Sequence, residues 1–230
     1  MRTLGLIGGM SWESTAVYYR LLNEGVKERL GGLHSASLLL ASCDFAPVAA
    51  MQAAGDWDRL SAALCADARR LERAGAEAIV LCTNTMHKLA PDLEAAVAIP
   101  VLHIVDATGD ALARAGARRP VLLATRFTME ETFWRARLEA RTGIAALVPD
   151  AAGRALVHRV IYEELCRGIV TDASRAAVLA IVDALAAEGA DAVILGCTEI
   201  GLLIGADDTA LSVFDTTAIH AQAALDFALG

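Results

Sequence analysis

One feature constrains this chain more than any other: it repeats itself. Gly75–Leu81 reads GAEAIVL and Gly189–Leu195 reads GADAVIL, with four of seven positions identical and three exchanged like for like. The offset of 114 is close to half of the 230 residues. Two weaker echoes keep the same order. Glu13, Thr15, Arg20 and Leu21 match Glu130, Thr132, Arg137 and Leu138 at an offset of 117, and Val105–Thr108 matches Phe214–Thr217. Each copy is an unbroken apolar run, the signature of a strand buried on both faces. A duplicated unit built around such a strand points to two α/β halves, related by a pseudo-twofold axis.

The rest of the chain fits that plan. Apolar runs predict strands at Leu4–Ile7, Ser37–Ser42, Ala78–Leu81, Pro100–Val105, Val121–Ala124, Ala192–Leu195 and Ser212–Phe214. Helical spacing predicts helices at Ser14–Leu30, Asp58–Ala74, from about His87, Glu130–Thr142, Ala155–Cys166, Ala173–Glu188 and from about Thr217. Strands alternating with helices predict open parallel sheets covered on both faces. Ligands of such sheets bind outside the carboxyl ends of the strands. In a duplicated chain two such ends can meet across one cleft.

Several function classes fall away on composition. The net charge is −8 and no basic stripe occurs, which argues against nucleic acid. The longest run free of Asp, Glu, Lys and Arg is Leu30–Cys43, 14 residues against the roughly 20 of a membrane span. The N-terminus carries no signal-peptide pattern, so a cytoplasmic location is expected. Five widely spaced cysteines with no C-x-x-C argue against a disulfide framework or a metal site. Lys27 and Lys88 are the only lysines, which limits chemistry through a lysine Schiff base.

The strand ends carry the candidate chemistry. Extending the repeat pairs Cys82 with Gly196, Thr83 with Cys197, Asn84 with Thr198 and Thr85 with Glu199. Inverting a stereocentre by proton transfer needs one acid/base group on each face of a carbon, and Thr83 and Cys197 are placed to supply them. Backbone N–H groups after each strand can hold a carboxylate and the charge that develops when a proton leaves. Cys82 reads either as the last core residue of its strand or as a second thiol near the site. Cys43 and Cys65 read as core. GLIGG at Gly5–Gly9 is not a dinucleotide fingerprint and reads as a tight turn against a small ligand, with Met10 and Ser11 beside it. His87 and Lys88 read as a solvated helix face.

The strings GLIGGMSWEST at Gly5–Thr15, CTNTMHK at Cys82–Lys88, GCTEI at Gly196–Ile200 and FDTT at Phe214–Thr217 resemble the aspartate/glutamate racemase family. These are amino-acid racemases that use no cofactor. The resemblance runs nearly end to end. It implies two duplicated α/β halves, here 1–98 with 207–230 and 99–206, with the active site between them. It also implies a homodimer acting on a small amino acid. The family's first cysteine falls on Thr83, and its second is Cys197. The chain thus resembles the subgroup of L-aspartate/glutamate-specific and broad-specificity racemases in which threonine replaces that first cysteine. A thiol titrates near 8.5 and falls further near positive charge or a helix N-terminus, so Cys197 should handle one enantiomer as a thiolate; a threonine hydroxyl is far less acidic, so the two enantiomers should be used unequally. The resemblance implies an L preference.

Met10, Gln52, Asn84, Thr85, Thr128 and Thr198 are the implied substrate-binding residues. Where the family places basic side chains for a distal carboxylate, this chain has Gln52 and Cys166, with Arg126 either a substitute or a surface arginine. Aspartate or glutamate is the expected substrate. Neutral amino acids such as homoserine are the alternative, alongside a non-catalytic small-ligand relative. Hydantoin racemases, maleate isomerases and decarboxylases share the layout, but the strings around Met10 and Thr83 favour amino-acid racemases.

Overall fold

A computed structural model describes residues 1–230, which form two compact units: Met1–His103 with His220–Gly230, and Ile104–Ile219. The first unit carries strands β1 (Leu4–Gly8), β2 (Leu38–Ser42), β3 (Ala78–Leu81) and β4 (Val101–Leu102) in a parallel sheet of order β2-β1-β3-β4. Its helices are α1 (Trp12–Leu30), α2 (Phe45–Ala54), α3 (Trp57–Arg73) and α4 (Ala90–Ala96), with a 3-10 turn at Thr85–Leu89. The second unit carries β5 (Pro120–Leu123), β6 (Ala192–Leu195) and β7 (Ser212–Asp215), all parallel, and helices α5 (Ile104–Ala115), α6 (Arg126–Glu130), α7 (Thr132–Thr142), α8 (Ala151–Arg159) and α9 (Asp172–Ala187). The last helix, α10 (Thr216–Leu229), returns the chain to the first unit.

The duplication is visible in the hydrogen bonding. Leu147 forms a parallel bridge to Val121, bonding through Leu122 N–H and Pro120 C=O. It stands beside β5 as β2 stands beside β1, so both sheets share one order. Leu4 pairs with Ala78 and Pro120 with Ala192, which sets the β1-to-β5 offset at 116. Val80 pairs with Leu102 and Ile194 with Phe214, so Leu102, not Val105, is the counterpart of Phe214. The third echo therefore shifts by three residues.

β3 shows how a strand without alternation serves two faces. Ala78, Val80 and Cys82 pack with Leu4, Leu6, Tyr18, Leu22 and the α10 residues Ala221, Ala224 and Leu225. Ile79 and Leu81 pack on the other face with Ile7, Leu64, Leu71 and Met86. Burial of side chains of this size contributes about 1.5–3 kcal/mol each. Cys82 is thus the final core residue of β3, which decides its reading. Helices α1, α8 and α9 begin at side-chain caps: the Ser11 hydroxyl accepts from Ser14 N–H, Asp150 from Gly153 N–H, and Thr171 from Ser174 N–H.

Three elements depart from the sequence reading. The run at Pro100–Val105 pairs only over Val101–Leu102, and α5 begins at Ile104, turning Ile104, Thr108 and Leu112 inward at helical spacing. Because β4 pairs with β3 and β7 with β6, the chain leaves the first unit after His103 rather than 98 and re-enters at His220 rather than 207. The helix α2 has no apolar stripe, burying only Val48 and Gln52, and so gives no periodic signal. No helix is long and apolar enough to cross a membrane.

Candidate active site

In the first unit the candidate residues gather at the carboxyl ends of β1 and β3. Gly9 has φ +85°, and a Cβ there would lie 2.2 Å from the Cys43 carbonyl oxygen, so only glycine fits. Its N–H donates to the Thr15 hydroxyl at 2.8 Å, and that hydroxyl donates to the Ser11 carbonyl at 3.0 Å. This ties the GLIGGMSWEST turn to the start of α1 and buries Met10 beside it. At the end of β3, Cys82 N–H donates to the Ile7 carbonyl at 2.9 Å. Thr83, Asn84 and Thr85 follow, all buried. Gln52 is buried as well, and its Oε1 has no hydrogen-bond partner.

His87 corrects the sequence reading. It is 2% exposed, not solvated, and Lys88 is half-buried with its Nζ 3.9 Å from the centre of the Trp57 ring. His87 Nδ1 lies 2.7 Å from the Thr83 carbonyl. Burial, with His103 and His220 close by, holds the His87 imidazole well below its ordinary range, so it is neutral. Burial also pushes His220 down to about 4.

The second unit builds its end of β6 differently. Gly196 is required by packing, because a Cβ would stand 2.6 Å from Leu122 Cδ1. Its N–H donates to the Leu123 carbonyl at 2.7 Å, the counterpart of the Cys82 bond to Ile7. Cys197 then donates its S–H to Glu199 Oε2 at 2.9 Å, and Thr198 donates its hydroxyl to the same oxygen at 2.6 Å. Cys197 and Glu199 are buried and Thr198 is half-buried. Burial raises the Cys197 thiol well above its ordinary value, and the Glu199 charge adds to the rise. Cys197 therefore rests as a thiol, not as a preformed thiolate. This reverses the expectation of an acidified thiol, because no cation offsets the burial. The pair can pass a proton from sulfur to carboxylate and back.

The remaining predicted residues take varied places. Thr128 is fully buried, with its hydroxyl 3.3 Å from that of Thr125, whose oxygen caps α6. Arg126 is exposed, and its N–H donates to His158 Nδ1 at 3.3 Å. Cys166 is half-buried in a 3-10 turn at Leu165–Arg167. A π-helical turn at Val160–Glu164 carries Tyr162, whose ring lies 4.7 Å from that of His158. Burial raises the Tyr162 phenol, and Cys197, Cys166 and Glu199 raise it further, so it stays protonated. Sequence reasoning missed Tyr162 and the role of Glu199. For Glu199 the signal was available: a carboxylate two residues after the repeat's cysteine.

Comparison with known proteins follows these features closely. The family model for Asp/Glu/hydantoin racemases matches residues 7–224. The chain belongs to that family. Its class is that of an isomerase, an amino-acid racemase. A solved structure from Yersinia pestis, assigned to the Asp/Glu racemases, is 52% identical over 100% of both chains with a TM-score of 0.94. PH1733 from Pyrococcus horikoshii OT3, an aspartate racemase homologue, is 32% identical over 100% of both chains with a TM-score of 0.87. The broad-specificity amino-acid racemase RacX of Bacillus subtilis (strain 168) is 20% identical over 95% of each chain. This chain has a cysteine, Cys197, just past the end of β6 and a threonine, Thr83, just past the end of β3.

Proposed function

We propose that this racemase interconverts amino-acid enantiomers by proton transfer at Cα without pyridoxal phosphate, with Cys197 and Thr83 serving opposite faces of the carbon. The observation that carries the reading is the Cys197–Glu199 bond at 2.9 Å, next to a strand end whose duplicate presents Thr83. In the forward step the thiol proton passes to Glu199, and the sulfur takes the α-proton. In the reverse step the thiol gives its proton to the carbanion and recovers one from Glu199. Thr83 supplies a proton to the other face as a hydroxyl donor; its oxygen regains a proton from solvent water as Glu199 gives one up, and the opposite direction runs the same steps in reverse. Its weak acidity makes Cα exchange of the two enantiomers unequal, in line with the L preference that the resemblance implies. Asn84, Thr85 and Thr198, with nearby backbone N–H groups, hold the α-carboxylate. Met10 and Thr128 complete the substrate-binding set in this reading. The enzyme works as a cytoplasmic homodimer in this reading.

Aspartate and glutamate are the first substrates to try, in line with the names of the relatives. One observation favours a second reading. Gln52 Oε1 is a buried acceptor without a donor, and leaving it so costs about 1–3 kcal/mol. A neutral substrate bearing a donor, such as homoserine, would satisfy it, whereas a distal carboxylate would not. Deuterium incorporation at Cα in D₂O, followed by proton NMR with each enantiomer of aspartate, glutamate and homoserine, tests both readings. Exchange with racemisation supports the mechanism. Ligand-induced thermal stabilisation without any exchange would leave only a binding protein.

A further inference from the structure

Beneath Thr83 lies a row of buried rings that the proton-transfer steps do not use. Tyr18 Oη is 2.8 Å from His220 Nδ1, and His220 Nε2 is 2.8 Å from the Leu102 carbonyl. The His220 and His87 ring centres are 5.5 Å apart, and those of His87 and His103 are 4.6 Å apart. Tyr18 and His220 are fully buried, His87 is 2% exposed and His103 7%. Such groups are costly to bury unless they are hydrogen-bonded.

A carbonyl oxygen only accepts, so the His220 Nε2–H donates to Leu102 and, at 2.7 Å, the His87 Nδ1–H donates to Thr83. Neutral His220 then accepts a hydrogen bond from the Tyr18 hydroxyl at Nδ1. The His103 and His220 rings on either side of His87 add to its burial in disfavouring a second proton on it. The Thr83 peptide is thus gripped on both sides. Upstream, Cys82 N–H is tied to β1; downstream, the Thr83 carbonyl is tied to a ring whose own backbone N–H bonds to the Asn84 carbonyl at 3.1 Å.

We propose that His87 is the positioning residue for Thr83: its Nδ1–H fixes the Thr83 carbonyl and so aims the Thr83 hydroxyl at the substrate carbon. The assignment rests on Thr83 acting as a proton donor. Its effect is one-sided, because only the transfer through Thr83 depends on it.

The test uses His87→Leu, which fills a similar volume without a donor, and His87→Asn, whose amide nitrogen lies near the Nδ1 position. His87→Leu is expected to lower kcat for racemisation about a hundredfold with little change in KM. The Cα exchange that Cys197 performs alone, on one enantiomer with retention of configuration, stays near the wild-type rate. His87→Asn restores kcat to within about tenfold. Should His87→Leu fail to fold, His87→Gln moves the donor outward and is expected to reproduce the loss. Equal loss of exchange and racemisation in these variants, or no loss at all, overturns the inference. Thr83→Val and Cys197→Ser run alongside. If Cys197→Ser still exchanges the α-proton, the racemase mechanism itself fails. If both controls behave as proposed and the His87 variants do not, only the role of His87 fails.

Discussion

The ends of β3 and β6 occupy the same place in two copies of one sheet, yet they hold different protons. Behind Thr83 stands a neutral imidazole that grips a backbone carbonyl at 2.7 Å. Behind Cys197 stands a carboxylate that grips the thiol itself at 2.9 Å. Strand register and the first backbone bond past each strand are preserved; the side chains that follow have diverged. The scaffold needs only apolar strands and a glycine or core residue at the turn. Chemistry is set by the polar side chains that follow, Thr83–Thr85 at one end and Cys197–Glu199 at the other.

The sharpest break of this comparison comes from Cys197→Ser. Its loss should lower racemisation about 10²–10⁴-fold in both directions, measured by chiral chromatography from each pure enantiomer. A much smaller effect would mean that the β6 end holds no proton-transfer group.

The two ends should also titrate apart. An unfolded histidine takes up its proton near 6.5, while folded His220 does so only near 4. Between these values the unfolded state binds more protons, so stability falls as pH drops from about 6.5 to about 4. At about 1.4 kcal/mol per pKa unit, the contribution of His220 to that loss is about 3 kcal/mol. Urea midpoints across this window should show it, and His220→Gln should flatten the slope. His87, lowered by the same burial, acts in the same direction.

Glu199→Gln separates acidity from catalysis. Removing the charge takes away a cause of the raised Cys197 thiol, so alkylation of Cys197 by iodoacetamide at pH 8 should speed up. Racemisation should nonetheless fall about a hundredfold, because the proton on sulfur has lost its acceptor. Peptide mass spectrometry distinguishes Cys197 from the half-buried Cys43 and Cys166. The smallest change is expected from Thr83→Cys. It gives both ends a thiol and should bring the Cα deuterium-exchange rates of the two enantiomers closer together by several-fold, in line with the lower pKa of a thiol, while kcat/KM stays equal in the two directions because the equilibrium constant is one.

Residue by residue, legibility in the sequence followed the physics of burial. The paired runs Ala78–Leu81 and Ala192–Leu195 were readable because strands buried on both faces carry no alternation, and duplication marked them twice. That repeat also aligns Thr83 with Cys197. Phe45–Ala54 was silent because an alanine-rich helix with two buried side chains leaves no stripe. His87 was misread because its partners are a backbone carbonyl and rings from residues 103 and 220, which no local pattern reveals. The Cys197 thiol was expected to be acidic; sequence shows neither its burial nor the lack of a balancing cation.

The most direct test is Cα exchange in D₂O by Thr83→Val and by Cys197→Ser, each given one pure enantiomer at a time. Thr83→Val should wash deuterium into a single enantiomer without forming its mirror image, and Cys197→Ser should exchange neither. Racemisation by Thr83→Val at the wild-type rate, or exchange by Cys197→Ser, would contradict a two-sided transfer through these residues.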